Sequence, residues 1–203
     1  MALAFKQSKL NFLHLNSVNL RTVFAQGMAM FFIQDLAAPA VAIHAAVAES
    51  AANAFAGPFT NPAYPKSIRA VSQNGYGGGI VTITGTDQFG RAQTESITPA
   101  AGGGTVEGVK IWRTVTAAAK TSIVADTHTV TLQTGVKIGL PVPLLGDWGM
   151  ELVAGVAELA TWDSTYHAFT PTTPPDGAVD FTILVPVDWA AYAKMVVGEA
   201  ANI

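Results

Sequence analysis

Two short stretches hold the residue types that could do chemistry. In "ADTHTV", Asp126 stands two residues before His128, and "WDSTYH" at 162–167 brings Asp163, Ser164 and His167 close together in the chain. These are the parts of base-assisted nucleophilic attack, in which an imidazole takes a hydroxyl proton and a carboxylate orients the imidazole. Such a constellation draws its members from separate elements and exposes its serine on a GxSxG-type elbow, which "WDSTYHA" lacks. We therefore read the first pair as a loop carboxylate beside a strand-start imidazole, and the second group as a polar loop. His14, His44, His128 and His167 include no pair at HxH or HxxxH spacing, so no zinc-type ligand set is legible. Asp87 with Glu95 or Asp126 offers oxygen donors for calcium, without the DxDxDG spacing of a calcium loop. The glycine runs "GYGGG" (75–79) and "GGG" (102–104) join β-like runs and match neither phosphate-loop pattern, so they read as turns. The expectation is a protein that is not an enzyme, with no catalytic residue, metal or cofactor.

The aromatic residues offer another chemistry. Phe89, Trp112, Trp148, Trp162 and Trp189 could line a sugar site, though tryptophan more often anchors a core or an interface. Alternation along "VKIWRTVT" puts Trp112 on the polar face with Lys110 and Thr114, which marks it as an exposed contact. The candidate interface residues are Phe89, Trp112, Phe31 and Phe32.

Such contacts need elements to carry them, and composition narrows the choice. Half of the 203 residues are apolar and 12% are charged, against roughly 25% charged in an average soluble domain. An apolar, charge-poor chain is expected to bury its outer surfaces against partners. The net charge of −3, without a basic block, argues against direct contact with nucleic acid. Cysteine is absent, so disulfides and thiolate metal sites are impossible. The opening "MALAFKQSKLNFLHLNSVNLR" does not read as a signal peptide. The stretch Val23 to Val47 contains Gln26, Gln34, Asp35 and Pro39, which argues against a membrane span.

Three textures follow one another. Residues 1–60 are Ala-rich and read as an N-terminal arm or helical extension, with a helix near 17–35 and a helix or ordered arm near 40–55. Residues 61–203 read as a β domain with a core module at 62–145 and C-terminal strands and a helix at 146–203. Short runs such as "IVTITGT", "AQTESIT" and "HTVTLQT" alternate apolar and polar residues between turn signals, the pattern of an antiparallel sandwich or barrel. In "TGTDQFGRAQTESIT" (84–98) a hairpin turns at Asp87-Gln88-Phe89-Gly90, and Thr82, Thr84, Thr94 and Ser96 form one hydroxyl-bearing face. "GMELVAGVAELATW" reads as a strand pair, "AVDFTILVPVDW" as a strand, and Asp188 as the N-cap of a short C-terminal helix. The expected fold is mainly β, an antiparallel β-sandwich or barrel-like module with an Ala-rich, partly helical arm.

The phrases "TGTDQFG", "ES", "GTVEGVKIWRTVT" and "TGVKIGLP", in that order over residues 62–145, resemble a β-module of tailed-bacteriophage virion structural proteins, most of all head decoration or cement proteins. The resemblance implies a capsid-surface location after assembly in the host cytoplasm, with the major capsid protein and copies of itself as partners. It brings no catalytic residue with it. The alternative it leaves is a phage tail or baseplate structural protein, or an adhesion module that binds host glycan.

Overall fold

A computed structural model of the chain describes residues 12–15, 18–25, 27–48, 55, 57–121 and 127–192. It is mainly β, and its strands pair antiparallel. In chain order they are β1 (Phe12–Leu15), β2 (Val18–Ala25), β3 (Met28–Ile33), β4 (Ala42–Ala48), β5 (Lys66–Ser72), β6 (Val81–Thr86), β7 (Ala92–Ile97) and β8 (Gly104–Glu107). There follow β9 (Thr114–Lys120), β10 (Thr129–Gly139), β11 (Met150–Val153), β12 (Val156–Glu158), β13 (Thr161–Asp163), β14 (Ala168–Thr170) and β15 (Phe181–Pro186).

Two compact units result. One is residues 38–139; the other joins residues 1–37 to 140–203. Sequence texture puts its division at residue 60, and neither unit ends there. The expected arm is shared between them, because β3 pairs with β15 while β4 pairs with β10.

The helical readings near 17–35 and 40–55 are corrected among the described residues. β2, β3 and β4 occupy them as strands, and residues 49–54 lie outside the described set. Alanine's helix preference is under ~1 kcal/mol per residue, which ladder pairing and burial overrule. The β3 residues Ala29, Phe31 and Ile33 are fully buried while Met28, Met30 and Phe32 are half-buried, a period of two. At the other end, Asp188 accepts a hydrogen bond from the Ala191 N–H at 2.9 Å and caps a helical turn at 189–192. The remainder of the expected C-terminal helix lies outside the described residues.

In the 38–139 unit, β10 pairs with both β4 and β5, and β5 pairs with β8. A second sheet runs β7-β6-β9. Ile68, Ala70, Val130 and Leu132 from the first sheet and Val81, Ile83 and Val115 from the second share one core with Trp112 and Tyr76. Two antiparallel sheets of this unit thus enclose one core. The "HTVTLQT" run continues to Gly139 as the single strand β10, and its register with β5 shifts between Thr134 and Ile138.

The hairpin of β6 and β7 pairs Thr82 with Ser96 and Thr84 with Thr94, and the Thr82 and Ser96 hydroxyls lie 3.1 Å apart. Gly85 faces the Thr114 carbonyl so closely that a Cβ would collide with it, which is why the Thr-Ile-Thr run yields to glycine there. At the tip, Asp87 Oδ1 accepts the N–H groups of Phe89 and Arg91, both at 2.9 Å, and Oδ2 accepts Arg91 Nε at 2.7 Å. Asp87 is buried and Gly90 supplies the positive φ that the turn needs. Asp87→Ala is expected to destabilise the chain by about 2 kcal/mol in urea denaturation, mainly through the two lost backbone bonds. The ion pair adds little, because the Arg91 side chain is 60% exposed.

In the other unit a six-stranded sheet runs β1-β2-β3-β15-β11-β12. Across it, Phe31 lies opposite Ile183 and Ile183 opposite Glu151; Ile33 lies opposite Phe181 and Phe181 opposite Val153. Phe31, Ile33, Phe181 and Ile183 on this inner face are buried, as are Leu140, Val142, Phe169 and Val187 of the same unit. β11 and β12 form the expected strand pair, joined by Ala154 and Gly155, both at positive φ.

Candidate interaction surface

Trp112 is not the exposed contact that alternation implied. It is fully buried, and its indole N–H donates to Glu95 Oε2 at 3.1 Å. The reason lies in where the strand begins. β9 starts only at Thr114, and residues 108–113 approach it as irregular chain held by a bridge between Lys66 and Trp112. A period-two argument has no force over a segment that is not a strand. Glu95 organises this approach, because its Oε1 accepts the N–H groups of Val109 at 2.6 Å and Lys110 at 3.2 Å.

Phe31 and Phe32, adjacent in β3, go to opposite faces. Phe31 is fully buried and belongs to the core, so it cannot touch a partner without unfolding. Phe32 is half-buried on the outer face, in the row of Thr182 and Leu152. The next row holds Met30, Leu184 and Met150. Met30, Phe32, Leu152 and Leu184 are half-buried and Met150 is exposed, so the sheet is apolar on both faces. Elsewhere in the same unit Leu145, Trp148, Val156 and Leu159 are exposed, Leu159 at 93%. Sequence reasoning missed this surface. Its signal was "MAMFFI" together with "TILV", where neither alternate set is polar. Phe89, at the hairpin tip of the other unit, is half-buried with the Arg91 guanidinium 5.0 Å from its ring centre.

A carboxyl lies on the inner face beside the core. Glu151 is 0% exposed, and its Oε1 meets no donor. Its cross-strand neighbour is Glu158, which accepts the N–H and hydroxyl of Thr173. Burial pushes the Glu151 carboxyl up to about 6, with a smaller push from Glu158, against a hydrogen bond from the Thr172 N–H. The folded value exceeds the unfolded one of 4.5. Stability from this group is therefore complete below pH 4.5 and is lost as pH rises through 6, by about 2 kcal/mol. Glu151→Gln is expected to remove that slope in urea titrations run from pH 4.5 to 8, and to exceed the parent's stability at pH 8. An unchanged slope would refute the assignment.

The other chemical groups are placed apart or used structurally. Asp163 Oδ1 accepts the Tyr166 N–H at 3.0 Å, and His167 Nδ1 accepts the Leu144 N–H at 3.2 Å. The Ser164 N–H donates to Asp147, whose carboxyl is held below its usual range by bonds from the Ser164 hydroxyl and N–H. Asp87 and Glu95, weighed for calcium, are each committed to N–H donors. Asp126 lies outside the described residues. Among the described residues no three acidic or histidine side chains converge as a metal site, and no helix is long and apolar enough to cross a membrane.

A polar knot that sequence reasoning did not single out joins β5, β8 and β10. Glu107 Oε1 accepts the Ser67 hydroxyl and the N–H groups of Val136 and Lys137 at the β10 irregularity. Buried Lys66 is lowered to about 8 by desolvation, which the nearby Glu107 charge partly offsets. The knot fixes a bend in β10, where the N–H groups of residues 136 and 137 leave the ladder. No family model, curated protein or solved structure matches this chain.

Proposed function

We propose that this chain is a contact-forming structural subunit of a tailed-bacteriophage particle, most specifically a head decoration or cement protein on the capsid surface. Its partners are the major capsid protein and copies of itself. The observation that carries the reading is the second apolar face of the six-stranded sheet, which includes exposed Met150. Such a surface has a large free-energy gain on being covered, and it offers no nucleophile or base. Further support comes from the resemblance over residues 62–145, and from the Asp163, Ser164 and His167 group, whose polar atoms serve backbone donors or turns. A cement subunit stabilises a shell by binding only its assembled form. Quantitative mass spectrometry of purified particles should then find the chain at lattice copy number, and particles stripped of it should melt at a lower temperature. Its absence from particles ends the proposal.

One observation favours the alternative of a tail-associated adhesion module. Trp148 is 55% exposed beside Asp147, an apolar platform next to a hydrogen-bond acceptor, as sugar rings require. On that reading, host glycan quenches tryptophan emission in the parent chain and not in Trp148→Ala, and the copy number is tens or fewer per particle.

A further inference from the structure

We infer that Glu151 and Glu158 hold a hard divalent cation, calcium or magnesium, in an oxygen-lined notch between the β11–β12 pair and the Thr172–Thr173 segment. The inference goes beyond the proposed function and needs nothing from it.

Glu151 and Glu158 are direct partners in the β11–β12 ladder, so their side chains leave the same face. Both carboxyl heads then meet one dipeptide. The Thr172 N–H lies 3.4 Å from Glu151 Oε2, and Glu158 Oε2 accepts the Thr173 N–H at 3.1 Å and its hydroxyl at 2.8 Å. The Thr172 hydroxyl donates to the Leu159 carbonyl at 2.6 Å, which ties the segment to the chain just after β12. In "TPTTPP" (170–175) a proline flanks the two threonines on each side and restricts the backbone there, so the notch is held in shape before any ion arrives.

The charges in this notch lack a counter-ion. Glu151 is fully buried and its Oε1 meets no donor. A buried carboxylate oxygen in that position is costly unless a cation or a donor faces it. No Lys or Arg occurs between 140 and 192. The row that crosses the sheet from Glu158 and Glu151 continues through Ile183 and Phe31 to Thr22, so it brings no cation either. Two carboxylates beside hydroxyl and carbonyl oxygens form a hard donor set of the kind calcium and magnesium take, with water completing the shell. Glu158 is half-buried and Thr172 exposed, which leaves the notch open to an entering ion.

The test titrates the full chain, in chelator-treated buffer at constant pH, with calcium chloride and separately with magnesium chloride. Calorimetry should show one saturable site for at least one of the two ions. The melting temperature should rise by ~5–10 °C at a hundredfold excess over Kd. Glu151→Gln and Glu158→Gln preserve side-chain shape, so both should fold by circular dichroism while binding weakens at least ~tenfold. Asp176→Asn removes an exposed carboxylate outside the notch and should bind as the parent does. Three results would each overturn the inference: no binding of either ion, binding that both glutamine variants retain, or an equal loss in Asp176→Asn, the mark of a diffuse ion atmosphere. None of these results bears on whether the chain is found in particles, so the proposed function is tested separately.

Discussion

Replacing Glu95 by alanine is expected to destabilise the chain by ~3–4 kcal/mol, read from urea denaturation at constant m-value. The carboxylate is buried and collects three donors: the N–H groups of Val109 and Lys110 and the indole N–H of Trp112. Its removal strands the buried indole N–H at a cost of ~1–3 kcal/mol and takes the partner from two part-buried backbone N–H groups at ~0.5–1.5 kcal/mol each. The relief of no longer burying a charge offsets part of that sum. Glu95→Gln should fall between alanine and the parent, because the amide oxygen can still serve two donors while its NH₂ faces the third. Gly108→Ala is a second probe, since a Cβ there would lie 2.7 Å from Glu95 Oε2. If the alanine variant lost less than ~1 kcal/mol, the carboxylate would not be what holds residues 108–113 in place.

Phe31→Ala is expected to cost ~3–5 kcal/mol, whereas Phe32→Ala, one residue along, should cost under ~1.5. Phe31 is fully buried, opposite Ile183 in a row that continues to Glu151, so truncation leaves a cavity inside the core. Phe32 is half-buried on the outer face and gives up a smaller area. Thermal unfolding by circular dichroism compares the two directly. Equal losses at the two positions would contradict the assignment of faces to β3.

The parts of the fold that were legible in the sequence are those whose partners lie nearby in the chain. The β6–β7 hairpin was readable because Thr82 meets Ser96 across a turn that Asp87 and Gly90 specify locally. The β11–β12 pair and the Asp188 cap are equally local. The strands of the first 48 residues were not readable. β1, β2 and β3 pair in turn with their chain neighbours, but "MAMFFI" is apolar in both alternate sets and hides its period of two, and β3 and β4 pair again only with β15 and β10 far along the chain. Without such a partner an Ala-rich segment has only its intrinsic preference, which points to helix. Trp112 failed for a related reason: only the fold decides that its strand begins two residues later, and that Glu95 waits for its indole.

Composition by itself determined that this chain is poor in charge, free of cysteine and rich in apolar residues, and alternation determined that the region after residue 61 is built mainly from strands. Those properties are sums and short-range patterns, so no folding is needed to read them. Only the tertiary structure decided which apolar residues become core and which stay on a surface. Phe31 and Phe32 are the same residue type side by side, and the register with β15 sends one inward and the other out. The same holds for Glu151, an ordinary carboxylate in sequence, which becomes a buried group titrating near 6 because its strand aligns it with Ile183.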